Sequence, residues 1–550
     1  MKTWARYLLT ATAATSIAFA AVLAARAEIC TLEIKKLESQ TSFSPSDYIY
    51  RAANPQSFDA QIGPEGKNRI NFGGEAQQTA KFKEIVKKEP KYESDHLFRG
   101  VAKFGTQEFA FVLDEAIPES EKKAKSEEKD SKSETNDAKT DAKSQPPKSL
   151  AGTLLQALTG ADQVDAAKQL KVVRFNRLYF DANHNGDLTD DKVIEADAMS
   201  ILGLPANYSR FQFPRVDVTI DVDGTPVDYA FFLTGYVNVS PDFSYASVHI
   251  NSAAYREGDI TLDGKTRHVV LIDNNSNGRF DDENKISKNI IRSGGALYPE
   301  EGDMLLVDPN QSSAGYTSPN DASSNSYQHY VSKLVDIDGR YYNLKISPAG
   351  DKLTLDPSSV PLGKITNPNG HFNAVIYNDN AFLKISGDKD TPISIPEGQW
   401  KLLSYTIDLT NVPEPSKAEK KNDKENGKSG ISALGLVLES LLGNSGSMAP
   451  SGRRFSFVTA GATAKYKPVT VREGETVEFP FGPPYKPVVS VGNIQGGGEN
   501  KQAPLAMTLF GSVGEVVSDM MVNGSRPAKP EFTIKDPKGE VVQSGTFEYG

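Results

Sequence analysis

Cysteine is almost missing from this chain. Cys30 is the only one in 550 residues, so no internal disulfide can form and stability must come from packed cores or from bound metal. Histidine is scarce as well: there are six, and none stands in an H-E-x-x-H or other close pair that would support catalytic zinc. Neither a G-x-S-x-G nucleophile elbow nor a phosphate-cradling P-loop occurs. Positive charge is outnumbered, with 61 Lys and Arg against 71 Asp and Glu, which argues against a nucleic-acid partner. Beyond residue 27 no apolar run is long enough to span a bilayer as a helix.

Glycine and proline, in contrast, are plentiful at 44 and 32, and point to a turn-rich β protein. At roughly 150 residues per domain, the length suggests three or four domains. Residues 1–27 read as a removable export signal. Lys2 and Arg6 precede a mostly apolar stretch from Tyr7 to Leu23, and Ala25-Arg26-Ala27 supplies a small-x-small cleavage pattern. Losing Lys2, Arg6 and Arg26 leaves 58 basic residues against 71 acidic ones, a mature charge of −13. The expected location is periplasmic, cell-surface or extracellular, with no transmembrane segment in the mature chain. Cys30 lies three residues past the cleavage site, which favours a free thiol over a lipidated one.

Two segments cannot fold by burial. Residues 119–149 hold eight acids and eight lysines without a large apolar residue, and residues 413–430 have the same character. Each is followed by leucines at helical spacing, Leu150, Leu154, Leu155 and Leu158 in one case and Leu434, Leu438, Leu441 and Leu442 in the other. These two short helices either cover a sheet face or act as tethered docking elements for a membrane or partner protein.

Without the first charged segment, the chain resembles itself. Gly105-Thr106 leads to Phe109-Ala110-Phe111, and Gly224-Thr225 leads to Tyr229-Ala230-Phe231. Residues 28–300 therefore read as a duplicated β domain built from hairpins, with residues 119–149 inserted in the first copy. Asp-Gly pairs at 223–224, 263–264 and 338–339, flanked by alternating runs, mark hairpin turns. Only isolated segments, such as Ala80 to Lys88, read as helix. Residues 301–492 read as a β-sandwich region holding the second insertion in a hairpin, and residues 493–550 as a C-terminal Ig-like β segment. Tyr341 and Tyr342 are adjacent, so one of the pair is expected to face inward.

The chemistry lies in two loops. After strand residues 177–180 come Asp181, Asn183, Asn185, Gly186, Asp187, Thr189 and Asp191; after 269–272 come Asp273, Asn275, Asn277, Gly278, Arg279, Asp281 and Glu283. Calcium takes six to eight oxygens, and side chains at positions 1, 3 and 5 of a tight loop converge when glycine at 6 permits the turn. Position 7 offers its backbone carbonyl, so Asp187 and Arg279 are interchangeable there. Position 8, Leu188 or Phe280, faces the core, and position 9, Thr189 or Asp281, adds an oxygen or a water. Asp190 or Asp191, and Asp282 or Glu283, complete the shell. Two Asn among the first three ligands imply weak affinity, ~0.1 to 1 mM. The alternative is a pair of Asx- and Gly-shaped turns that bind nothing. His184 and His268 are expected to face solvent.

These loops resemble the D-x-D-x-D-G calcium loops of EF-hands, dockerins and the integrin β-propeller. Position 12 departs from the EF-hand glutamate, being Lys192 in one loop and Asn284 in the other, and a strand precedes each loop, as in the integrin variant. PKYESDHLFRGVAKFG, LYFDANHNGDLTDDKVI and the terminal GTFEYG further resemble uncharacterised secreted proteins of planctomycete-type bacteria. That resemblance implies repeated strand-then-calcium-loop units and carries no activity. The expectation is an exported, calcium-stabilised, mainly β, multi-domain protein, a structural or binding component of the cell envelope with a glycan or protein partner. A secreted hydrolase is the rival, since a glycosidase needs only two carboxylates whose separation a sequence does not reveal.

Overall fold

The computed structural model describes residues 27–39, 50–62, 74–94, 96–116, 173–197, 205, 207–239, 244–309, 327–410, 456–494 and 502–549. Residues 1–26 of the expected leader, both charged segments and both leucine-rich stretches lie outside these residues. The protein is mainly β, built from several antiparallel sheets and a single helix among the described residues.

Four sheets stack face to face, and the sequence shows why. Strand Gln107–Asp114 sends Phe109, Phe111 and Leu113 into one apolar core and Ala110 and Val112 into another. Strand Thr225–Val239 divides Tyr229, Phe231 and Leu233 from Ala230 and Phe232, and Lys265–Ile272 divides Val269 and Leu271 from Val270 and Ile272. Side chains alternate along a strand, so a continuous apolar run is what a strand covered on both faces requires. The likeness of the FAF and YAF segments is a likeness of environment as well as of sequence.

The layers run as follows. Helix Glu75–Ile85 places Phe82 on the outer face of the meander Phe98–Phe104, Gln107–Asp114, Arg177–Phe180 and Ile194–Glu195. The inner face of that meander meets a five-stranded sheet centred on Thr225–Val239. A second five-stranded sheet follows, with strands Gln328–Tyr330, Met304–Val307, Lys265–Ile272, Ala254–Leu262 and Glu33–Lys36 in spatial order. The last layer comprises Glu28–Thr31, Lys352–Pro357, Arg340–Ile346 and Leu334–Ile337. Sheets begun before residue 300 thus continue past it. A further core around Trp400, Tyr405, Phe479 and Phe481 gathers the strands from Leu362 to Met521 and takes in Leu334 and Tyr341 from the preceding layer.

All three Asp-Gly pairs form the expected hairpins, with positive φ at both residues, 51° and 86°, 51° and 76°, and 54° and 79°. Each charged segment falls between antiparallel partners, 107–114 with 177–180 and 398–408 with 457–461. Other details differ from expectation. The helix starts at Glu75 and stops at Ile85, because Val86 turns extended and the N–H groups of Lys87 and Lys88 donate to the carbonyl of Gly186. Tyr341 and Tyr342 are both buried, each in a different core, since their strand is covered on both faces. Residues 505–521 join the sheet of 457–461, and the final hairpin, Glu531–Lys535 with Val541–Thr546, stands as a separate two-stranded sheet.

Candidate metal centre

Each loop continues directly from a buried strand, Arg177–Phe180 or Lys265–Ile272, so its first aspartate is carried into the interior. Asp181 and Asp273 are fully buried. Both carboxylates fold the chain round themselves: Asp181 accepts the N–H groups of Asn185 and Gly186 at 3.0 Å each, and Asp273 accepts those of Asn277 at 3.1 Å and Gly278 at 2.7 Å. The turn this demands needs the left-handed region, and Gly186 and Gly278 occupy it with φ of 80° and 79°. Position 5 caps position 7 in both loops, Asn185 accepting from Asp187 N–H and Asn277 from Arg279 N–H. Leu188 and Phe280 point into the cores as the spacing predicts.

The acid at position 10 draws the two amides together. Asp190 accepts Nδ2 of Asn183 and Asn185, and Asp282 accepts Nδ2 of Asn275 and Asn277. Asn183 Oδ1 caps the N–H of Asn185. Asn275 Oδ1, its counterpart, is sealed from solvent and has no hydrogen-bond donor. The same holds for Asp191 Oδ2 in the first loop. Burial, with Asp181 and Asp190 beside it, raises the Asp191 carboxyl to about 6, while the N–H groups of Ala182 and Asn183 pull against that rise. Asp187 lies at about 2, held there by the Thr189 hydroxyl and by Lys88. Thr189 binds Asp187 and Asp281 binds Arg279, so both position 9 side chains are already engaged. Glu283 stands half-exposed.

The second loop recruits residues that its own sequence does not show. Tyr229 donates its hydroxyl to Asp273 Oδ2 at 2.6 Å. Asp303, just ahead of strand Met304–Val307, accepts the N–H of Asn274 at 3.1 Å through Oδ1 and that of Asp282 at 2.8 Å through Oδ2. Burial first, and then mutual repulsion among Asp273, Asp282 and Asp303, hold Asp273 and Asp303 well above the usual carboxylate range. The loop's own cation, Arg279, is already committed, to Asp281 within the loop and to Asp223 outside it. The loop is also a junction: Asn274 receives the N–H groups of Ala53 and Asn54, Asn277 that of Gly105, and Phe280 donates to Pro348.

Among the described residues, no three or more His, Cys, Asp and Glu side chains group in a way that could hold a metal on their own. The first loop gathers the buried Asp181 carboxylate and neutral amide oxygens, and the second sets Asp303 beside the buried Asp273 and its amides; both are hard oxygen donor sets suited to calcium rather than to zinc. His184 is exposed against the Phe109 ring, and His268 pairs with Asp259 at 3.0 Å. A cleft of about 490 Å³ opens beside the first loop and is lined by Phe180, Asp191, Val193, Glu195, Arg215 and Asp217, among others. Arg177 holds Glu195, and Arg215 and Lys36 hold Asp217. Cys30 is buried, donates to the Asp259 carbonyl, and has its thiol pushed up by burial. No helix of the described residues is long and apolar enough to cross a membrane. No protein-family model matches the chain, and no match arises among curated proteins or solved structures.

Proposed function

We propose that this is an exported β protein whose two Asp-x-Asn-x-Asn-Gly loops bind calcium, and that it serves as a structural or binding component of the cell envelope. One observation carries the ion reading. Asn275 Oδ1 occupies position 3 of a loop built round a buried carboxylate, is closed to water, and has no donor. A buried acceptor left unpaired costs ~1–3 kcal/mol, and a cation at the loop centre satisfies it. The export signal, the absence of a possible disulfide and the neutral ligand set agree with weak sites that stay filled outside the cell and act structurally. The test is a pair of thermal melts, in millimolar calcium and in chelator. A melting temperature raised by calcium in the unaltered chain, and not in the Asp181→Ala/Asp273→Ala variant, supports the reading; identical melts in both media refute it.

A second reading, a secreted hydrolase, draws on the cleft beside the first loop. Asp191 enters it with a carboxyl raised to about 6, as a general acid needs, and Glu195 and Asp217 supply further carboxylates. Their ion pairs with arginine make a structural role the stronger of the two. Glycan hydrolysis lost in Asp191→Asn would move the balance to the enzyme.

A further inference from the structure

The two loops are less alike than their sequences. In the first, the acid at position 11, Asp191, faces the N–H groups of Ala182 and Asn183. In the second, the N–H at the same point belongs to Asn274, and the carboxylate that receives it is Asp303, from outside the loop. We propose that Asp303 takes in the second loop the place that Asp191 takes in the first, and presets that loop for a divalent cation. This rests on the calcium reading and names the positioning residue of one site.

Geometry supports the assignment. One carboxylate reaches both ends of the loop, Asn274 at position 2 and Asp282 at position 10, and Asp303 N–H returns a bond to the Asp282 carbonyl. Gly302 fits only because it lacks a side chain, since a Cβ there would run into the Asp282 carbonyl oxygen. The Asn274 amide donates to the Gly302 carbonyl, and Asn284 Oδ1 accepts the Gly302 N–H. The segment before strand Met304–Val307 is thus clamped into the loop on both sides. Asp303 is 1% exposed and Asp273 0%, and the loop arginine is committed to Asp281 and Asp223. A cation bound beside the unpaired Asn275 Oδ1 meets an acceptor that nothing else in the loop satisfies. The half-exposed Glu283, which the loop pattern nominates, has none of these contacts.

The experiment uses the full chain carrying Asp181→Ala, which disables the first loop, and titrates calcium chloride by calorimetry. Adding Asp303→Asn is expected to weaken the remaining site at least tenfold, as loss of an outer-shell partner does, and to shrink the calcium-dependent rise in melting temperature. Adding Glu283→Gln is expected to change affinity less than threefold. Unchanged affinity in Asp303→Asn, with melting lowered equally in calcium and in chelator, would make Asp303 a structural staple and overturn the proposal. So would a large loss in Glu283→Gln, which decides the matter even if Asp303→Asn fails to fold. If Asp181→Ala alone abolishes binding, the second loop is not an ion site: this proposal falls, and the calcium reading is left standing for the first loop only. If the unaltered chain gives no heat, the calcium reading falls with it.

Discussion

Replacing Gly278 by alanine tests whether the second loop really is seated on the turn of a neighbouring sheet. Two costs add. The first is conformational: at φ +79° an alanine sits in the left-handed region, at ~1–2 kcal/mol. The second is steric: the new Cβ would stand 2.5 Å from Ile220 Cδ1 and 3.0 Å from the Gly105 nitrogen. Ile220 is 1% exposed in the core shared by the first two sheets, so it yields only by overpacking, typically ~1–3 kcal/mol. Moving Gly105 instead breaks its 2.7 Å bond to the Asn277 carbonyl, worth about 1 kcal/mol. The natural control is Gly264→Ala, at φ +76° in a hairpin turn with nothing within 4 Å. It bears the conformational cost alone. Urea unfolding followed by circular dichroism should show Gly278→Ala less stable than Gly264→Ala by about 1–3 kcal/mol, as a lower midpoint at similar slope. Equal midpoints would mean that the loop and the Gly105 turn are not in contact, and the junction described above would be wrong.

Burial, with Lys384 and Arg267 nearby and Asp338 opposing them, lowers His329 to about 4, below its usual 6.5. The unfolded chain therefore takes up this proton first, so stability is full above about pH 6.5 and is lost as pH falls toward 4. The loss is at most about 3 kcal/mol, less wherever water reaches the ring. His329→Gln should flatten that part of the stability curve, and an unchanged curve would remove His329 as its source. Trp400 is fully buried and donates Nε1–H to the Pro396 carbonyl at 2.8 Å. Trp400→Ala should cost ~3–5 kcal/mol in chemical denaturation, and less than 1 kcal/mol would contradict its place at the centre of that core.

Much of the fold was legible because local signals and burial agreed. The Asp-Gly hairpins needed only the preference of those residues for positive φ. The apolar runs at 109–113 and 229–233 announced strands, and only the stacking of sheets shows that both faces are covered. For the same reason Tyr341 and Tyr342 are both inside, where alternation places one of them outside. The helix end could not be read, since Gly186, a hundred residues on, supplies the acceptor that draws Lys87 and Lys88 out of the helix. In the loops, spacing identified Asp181, Asp273, the capping amides and the core-facing Leu188 and Phe280. It passed over Tyr229 and Asp303, because Tyr229 comes from a strand of another sheet 44 residues upstream of Asp273 and strand pairing brings Asp303 in from 30 residues downstream, and no spacing rule connects them.

The central claim is that the two loops are ion sites, and calorimetric titration of the chain with calcium tests it most directly. The account predicts saturable heat with two sites per chain in the range of ~0.1–1 mM, one lost in Asp181→Ala, the other in Asp273→Ala, and both in the double variant. Heat that is absent, or that persists unchanged in the double variant, would contradict it and leave both loops as turns.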